Sequence, residues 1–343
     1  MQHGLCSLGD HVKDPTTGKR TTQEERHRDI MEYFLAAEPM GFNAVVAGEH
    51  HFSDFIMSAP HIFLAWLAGQ TKNLRLATGI TLLPNHDPVF LAEDFATLDV
   101  VSGGRAEIWV GKGVEPYNYD HFGQDFETES HPRQQEGLEL LKKLWTEENI
   151  NWEGKFRPPL KGVTLEPRPV QNPHPPMYVA CGSALSAEVP AKLGINIVIT
   201  GLSVDLTALP AMIDRYLEVW EKSGHKHEPH ITFLAHVHVA ETTQEARDHL
   251  KKYQFDFQRW VFSKRMGMKP EDVELPARIT ELDSPNCAIA SGSVQEVTDK
   301  VGRLMEMSRC DRFIYQGDYG AQPWNRVMSS LEMYAAKILP EFK

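Results

Sequence analysis

Short apolar runs alternate with amphipathic stretches along almost the whole chain. That alternation constrains the fold more than any other feature of the 343 residues. Strands are expected at 4–8, 43–47, 74–83, 106–110, 177–180, 195–199, 231–239 and 312–315. A helix opens on the Thr22/Glu25 capping box, with Ile30, Met31, Phe34 and Leu35 as its apolar stripe. Pro39 falls in its expected last turn and predicts a distorted end before Gly41 stops it. Further helices are expected at 60–69, 88–101, 184–193, 206–223, 242–253 and 324–337. Another opens at His131-Pro132, where proline is tolerated, with Leu138, Leu141, Leu144 and Trp145 on one face. Strands separated by helices pair in parallel. Eight such units in a chain of this length predict an α/β fold, a (β/α)8 TIM barrel. A doubly wound open sheet is the competing architecture, and it is weakened because no G-x-G-x-x-G follows the first strand.

Residues 1–343 read as one domain without internal repeats. Two stretches leave the pattern. Residues 149–176, rich in Pro, read as a surface excursion with a short hairpin. Residues 254–291 form a candidate lid, because long segments at a barrel mouth often cover it. Lys plus Arg is 35 against 47 Asp plus Glu, a net charge of −12, which argues against nucleic acid and anionic membranes as partners. Four scattered cysteines show no metal-ligand spacing, and reduced thiols in a cytoplasmic protein are the simplest expectation. The sequence shows no signal-peptide pattern and no apolar run long enough for a bilayer.

In a barrel the chemistry sits at the C-terminal ends of the strands. The second strand ends in Gly48-Glu49-His50-His51-Phe52, so Glu49 and the histidines are candidates for acid–base work, or one histidine is merely packed. Gly79 and Ile80 end the third strand, where a glycine either lets a flat ligand approach the backbone or serves strand packing. Gly111, Lys112 and Gly113 end the fourth as a weak anion-loop signal. The fifth runs through Ala180 into Cys181-Gly182-Ser183 and opens a helix. Its N-terminus, with Ser183 and Ser186, suits a phosphate or is a simple cap. His236 and His238, two apart on a strand, face the same way, as metal ligands or as hydrogen-bonded strand residues. No carboxylate and histidine set completes a metal site with them, so no metal is assigned.

Together, GFNAVVAGEHHFSDF, TKNLRLATGITLLPNHDPVFLAEDFATLDVVSGGRAEIWVGKG, RQQEGLELLKKLW and PPMYVACGSALSAEVPAKLG resemble the bacterial luciferase-like flavin-dependent monooxygenases, nearest the luciferase catalytic-subunit branch. The likeness runs over nearly the whole chain. It implies a (β/α)8 barrel using reduced FMN and O2, through a C4a-peroxyflavin, to oxygenate a small organic molecule. It also implies a separate NAD(P)H:flavin reductase that supplies the flavin as a diffusible co-substrate. His50 matches the family's catalytic histidine, Gly79-Ile80 a non-proline cis peptide against the flavin, and Arg133 an arginine facing the flavin pocket. Glu93 matches an interface carboxylate that pairs with the partner subunit's His51, implying a homodimer. Four positions depart from luciferase and argue against light emission rather than flavin binding. Gly111 stands in place of a reactive cysteine, Lys112 of a phosphate-binding arginine, Cys181-Gly182 of Glu-Ser, and Asp87 of a histidine. The alternatives are F420-dependent hydride transfer on the same barrel, a metal-dependent hydrolase through His236 and His238, and a non-catalytic flavin-binding subunit.

Overall fold

The computed structural model describes residues 1–342. Eight parallel strands close into a barrel in chain order: β1 (Gln2–Ser7), β2 (Ala44–Ala47), β3 (Arg75–Thr78), β4 (Ala106–Gly111), β5 (Met177–Ala180), β6 (Asn196–Thr200), β7 (Ile231–Val239) and β8 (Arg312–Asp318). Pairing of Gln2 with Arg312 through Leu5 with Tyr315 closes the ring. The (β/α)8 expectation therefore holds.

Each strand contributes one side chain to an apolar layer inside the barrel. Cys6, Val46, Ala77, Trp109, Tyr178, Val198, Leu234 and Ile314 form a continuous buried layer. The two ends of that layer differ. At the N-terminal end, Glu107 on β4 receives hydrogen bonds from Arg75 Nε (2.7 Å) and from both terminal nitrogens of Arg312 (2.7 and 3.1 Å). Burial works to raise the Glu107 carboxyl, but the two guanidinium groups overcome it and hold it at about 2. At the C-terminal end the layer is topped by Leu8, Ile80 and Ala180, all half-buried and apolar. One end is a closed ionic plug and the other an apolar floor open to a ligand.

The helices surround the barrel: α1 (Gln23–Ala37), α2 (Pro60–Ala68), α3 (Pro88–Ser102), α4 (Phe126–Thr146), α5 (Ala184–Leu193), α6 (Leu209–Ser223), α7 (Thr243–Met266), α8 (Val294–Ser308) and α9 (Trp324–Met333). Thr22 and Glu25 form the expected capping box, and α1 ends at Ala37, before Pro39. Three expected boundaries need correction. Helix α4 starts at Phe126 rather than His131, because Asp125 accepts the Thr128 N–H (2.7 Å) and Glu127 and Glu129 favour the first turn; Pro132 lies inside it. Helix α7 runs on to Met266 instead of ending at 253, because no Gly or Pro interrupts it before Gly267, which caps it in the left-handed conformation. Residues 254–266, about a third of the candidate lid, are thus helical. The third strand is broken at the cis Gly79-Ile80 peptide and resumes as Thr81–Leu82, paired with Val110 and Gly111.

Within 149–176, Ile150–Trp152 pairs antiparallel with Leu160–Val163. Glu136 on α4 accepts the N–H groups of Lys155 and Phe156, which ties this excursion to the barrel. The unforeseen strand Ala290–Gly292 pairs with the far end of β7, Val237 opposite Ala290. Among the described residues no helix is long and apolar enough to cross a membrane.

Candidate active site

A cavity of about 120 Å³ opens at the C-terminal mouth. Leu8, His50, His236 and Gln316 reach it from strand ends, while Phe257, Trp260 and Phe262 reach it from α7. The His50 N–H donates to the Met57 carbonyl (3.0 Å), closing a loop that brings Phe55 face to face with the His50 ring, centroids 3.9 Å apart and planes 12° from parallel. Nδ1 of His50 is buried and has no partner in the protein. Burial lowers the His50 pKa more than Glu115 raises it, so the ring is neutral at pH 7. A neutral imidazole with a bare nitrogen on a cavity is able to accept a proton.

Glu49 does something other than the expected acid–base work. It is 3% exposed and does not line the cavity. Its Oε1 accepts from His51 Nε2 (2.8 Å) and His86 Nε2 (2.7 Å), and its Oε2 accepts the Leu82 N–H (3.3 Å). Burial works to raise its carboxyl, but the two histidines bring it down to about 2. A carboxylate so stabilised and so fully engaged positions the β2 and β3 loops; it is not a proton donor at neutral pH. The three groups bring ligand atoms within 4.8 Å of one another, a donor set capable of taking a metal ion, yet hydrogen bonds already satisfy it. His51 Nε2 is engaged by its own Glu49, so an intersubunit partner has only Nδ1 to approach.

The expected cofactor residues lie at the ends of β3, β4 and β5, and none of them lines the cavity. A Cβ on Gly79 would lie 2.1 Å from Val46 Cγ1, and one on Gly111 would lie 2.2 Å from Ile80 Cδ1. These glycines make room for neighbouring side chains, which corrects the idea that Gly79 bares the backbone to a ligand. Ile80 itself is half-buried on the floor. Register places Val110 beside Val179, so the loops bearing Lys112-Gly113 and Gly182-Ser183 leave from adjacent strands. Lys112 Nζ lies 4.1 Å from the centroid of the Phe126 ring, and burial lowers its pKa. Ser183 and Ser186 cap α5 reciprocally: Ser183 Oγ accepts the Ser186 N–H (3.2 Å), and Ser186 Oγ accepts those of Gly182 (3.2 Å) and Ser183 (3.0 Å). Gly182, Ser183 and Leu185 are exposed there. Burial pushes the Cys181 thiol up to about 12, so it is unreactive.

Arg133 is not brought to the cavity. Its Nε pairs with Glu129 at 2.7 Å, and its guanidinium lies 4.7 Å from the Phe156 ring centroid. His236 and His238 do not form a metal pair. Gln254 Nε2 donates to His236 Nδ1 (2.6 Å), while His238 stacks on His249 with centroids 4.3 Å apart. Burial lowers the two rings to about 4 and about 3. His238 Nδ1 has no partner, contrary to the expectation of a hydrogen-bonded strand residue.

Sequence reasoning missed Gln316, Phe55, Trp260 and Phe257. Gln316 had a signal, its place near a barrel strand end. The α7 aromatics fall within 254–291, so the candidate lid pointed to their segment without singling them out.

Comparison with known proteins agrees with this geometry. The sequence profile of the luciferase-like monooxygenases matches residues 1–308. The chain belongs to that family. It is an enzyme of this oxidoreductase family, and family members named as flavin-dependent and as F420-dependent are both among its relatives. The oxygenase component of the flavin-dependent trigonelline monooxygenase of Acinetobacter baylyi is 27% identical over 94% of this chain and 91% of that protein. The F420-dependent glucose-6-phosphate dehydrogenase of Segniliparus rotundus is 32% identical over 60% of this chain and 64% of that protein. The solved structure of monooxygenase RslO1 from Streptomyces bottropensis superposes with a TM-score of 0.87 at 26% identity, covering 100% of both chains.

Proposed function

We propose that this luciferase-like enzyme is the oxygenase of a two-component system that uses reduced FMN and O2 to oxygenate a small organic molecule. One oxygen atom enters the substrate and the other leaves as water. The neutral His50 ring, lining the cavity beside an apolar floor and with its buried Nδ1 unpartnered, is the observation that carries this reading.

The residues present suit FMN. Leu8, Ile80 and Ala180 offer a flat apolar floor. The exposed N-terminus of α5, with Gly182 and Ser183, and the Lys112 loop on the neighbouring strand suit its phosphate. When bound, reduced FMN supplies the two electrons and the oxygen chemistry. His50 Nδ1 accepts or holds the proton that moves at the reacting centre. Phe55, Phe257, Trp260 and Phe262 keep bulk water off that centre. Glu49 holds the His51 and His86 loops around it.

A reductase supplies the flavin, and the chain works in the cytoplasm as a homodimer. Ile62 on α2 and Phe90 on α3, 66% and 70% exposed, form an apolar surface on the helices expected at that interface. Oxygenation is tested by mixing the enzyme with photoreduced FMN, O2 and a panel of ring and chain compounds. A product carrying one atom of ¹⁸O from ¹⁸O2 is expected. Product no greater than in a protein-free control across the panel overturns the reading. The F420-dependent relative favours a second reading, hydride transfer to or from F420. Tight F420 binding without FMN binding would establish it in place of the first.

A further inference from the structure

The cavity wall carries a polar group that the flavin reading leaves unused. Register sets Gln316 on β8 directly opposite His236 on β7. On its other side the His236 ring receives a hydrogen bond at Nδ1 from Gln254 Nε2 (2.6 Å). Tyr319 stacks on its face, with centroids 4.9 Å apart. A ring nitrogen that accepts carries no proton, so a neutral imidazole here carries its single proton on Nε2. Burial keeps it neutral. Gln316 flanks the ring from the neighbouring strand. A ring N–H on that side favours the amide oxygen of Gln316 over its nitrogen. Gln316 is 1% exposed, its Nε2 has no partner in the protein, and the residue lines the cavity.

Aromatic rings make up much of the cavity lining, alongside Ser53, Thr200, Gln258 and Glu115. Phe257 stacks on Trp260 (5.8 Å, 20°), and Phe55 meets the other side of Trp260 at 5.4 Å. The two cations of the lining are not free inside the cavity: Arg265 reaches Glu115 (3.5 Å), and Lys264 is exposed. The acceptor that completes Gln316 is therefore an uncharged oxygen on a flat apolar body.

We propose that Gln316 Nε2 is the substrate-recognition donor of this site, and that the substrate is a neutral ring compound bearing a carbonyl oxygen. What becomes of that compound rests on the monooxygenase reading above; its recognition does not.

The test uses the full chain, with tryptophan fluorescence as readout and three probes: 1-tetralone, tetralin and 1-naphthoate. Wild type is expected to bind tetralone about tenfold more tightly than tetralin. Gln316→Leu should remove that preference by weakening tetralone alone. Gln316→Glu, which keeps the size but loses the donor, should do the same if the leucine variant fails to fold. Equal binding of tetralone and tetralin by wild type, or a preference that survives in the variants, overturns the proposal. So does naphthoate binding more tightly than tetralone, which would make this an acid site. Reduced-FMN affinity is measured on the same proteins. A loss there with the tetralone preference intact would place Gln316 on the flavin and overturn the inference while keeping the oxygenase. A tetralone preference without any reduced-FMN binding would support the donor and sink the oxygenase.

Discussion

Replacing Glu49 by Gln removes one negative charge from a buried site and leaves the shape almost unchanged. The carboxyl falls from its ordinary 4.5 to about 2 in the fold. At about 1.36 kcal/mol per pH unit that difference corresponds to about 3 kcal/mol of stability above the unfolded value. Gln keeps one acceptor oxygen for the histidines, so the expected loss near pH 6 is about 2–3 kcal/mol. Two pH signatures distinguish this account from a generic packing loss. Glu49 has a depressed pKa, so its contribution is present above about pH 4.5 and is lost as pH falls toward 2. His86 is raised: burial lowers it, but the hydrogen bond and charge of Glu49 outweigh that. Its contribution is therefore full below about pH 6.5 and is lost as pH rises through its raised folded value. The gap between wild type and Glu49→Gln should be widest between pH 5 and 6, smaller at pH 8.5, and narrowing below pH 4.5. Urea unfolding followed by tryptophan fluorescence at pH 8.5, 6 and 3.5 measures it. A gap under about 0.5 kcal/mol at pH 6, or one that is wider at pH 3.5 than at pH 6, would refute this role of Glu49.

His50→Ala should lower product formation about 10²-fold while reduced-FMN affinity, read anaerobically, stays within about threefold; an unchanged rate would remove His50 from the chemistry. Lys112→Ala should narrow the preference for FMN over riboflavin roughly two- to fivefold, since only FMN presents a phosphate; an unchanged ratio in equilibrium titration would take Lys112 out of the phosphate site. Ile62→Glu combined with Phe90→Glu places two charges on the exposed α2–α3 surface and should convert a dimer to monomer by light scattering. A dimer that persists would move the interface elsewhere.

The barrel was legible because its strands are buried on both faces. Ala44-Val45-Val46-Ala47 reads as an unbroken apolar run for that reason. Helix ends were less legible. Nothing near Tyr253 says whether α7 stops, and the deciding residue, Gly267, lies 14 positions further on. At the site, EHH was visible as chemistry, and the structure divides its roles. His50 faces the cavity, whereas Glu49 is taken by His51 and His86, the latter 37 residues away on another strand end. Such a partner cannot be read from local spacing. Gln316 was missed because the last strand was ended at Tyr315, one residue short of the mouth. The aromatic wall at Phe257 and Trp260 belongs to the segment read as a candidate lid, which placed it near the mouth but gave no residue-level signal.

The most direct test of the central claim is an anaerobic titration of the enzyme with reduced FMN, oxidised FMN and F420, followed by tryptophan fluorescence. The account predicts saturable binding with reduced FMN preferred, weakened by Lys112→Ala. Saturable binding of F420 alone, or of none of the three, would contradict it.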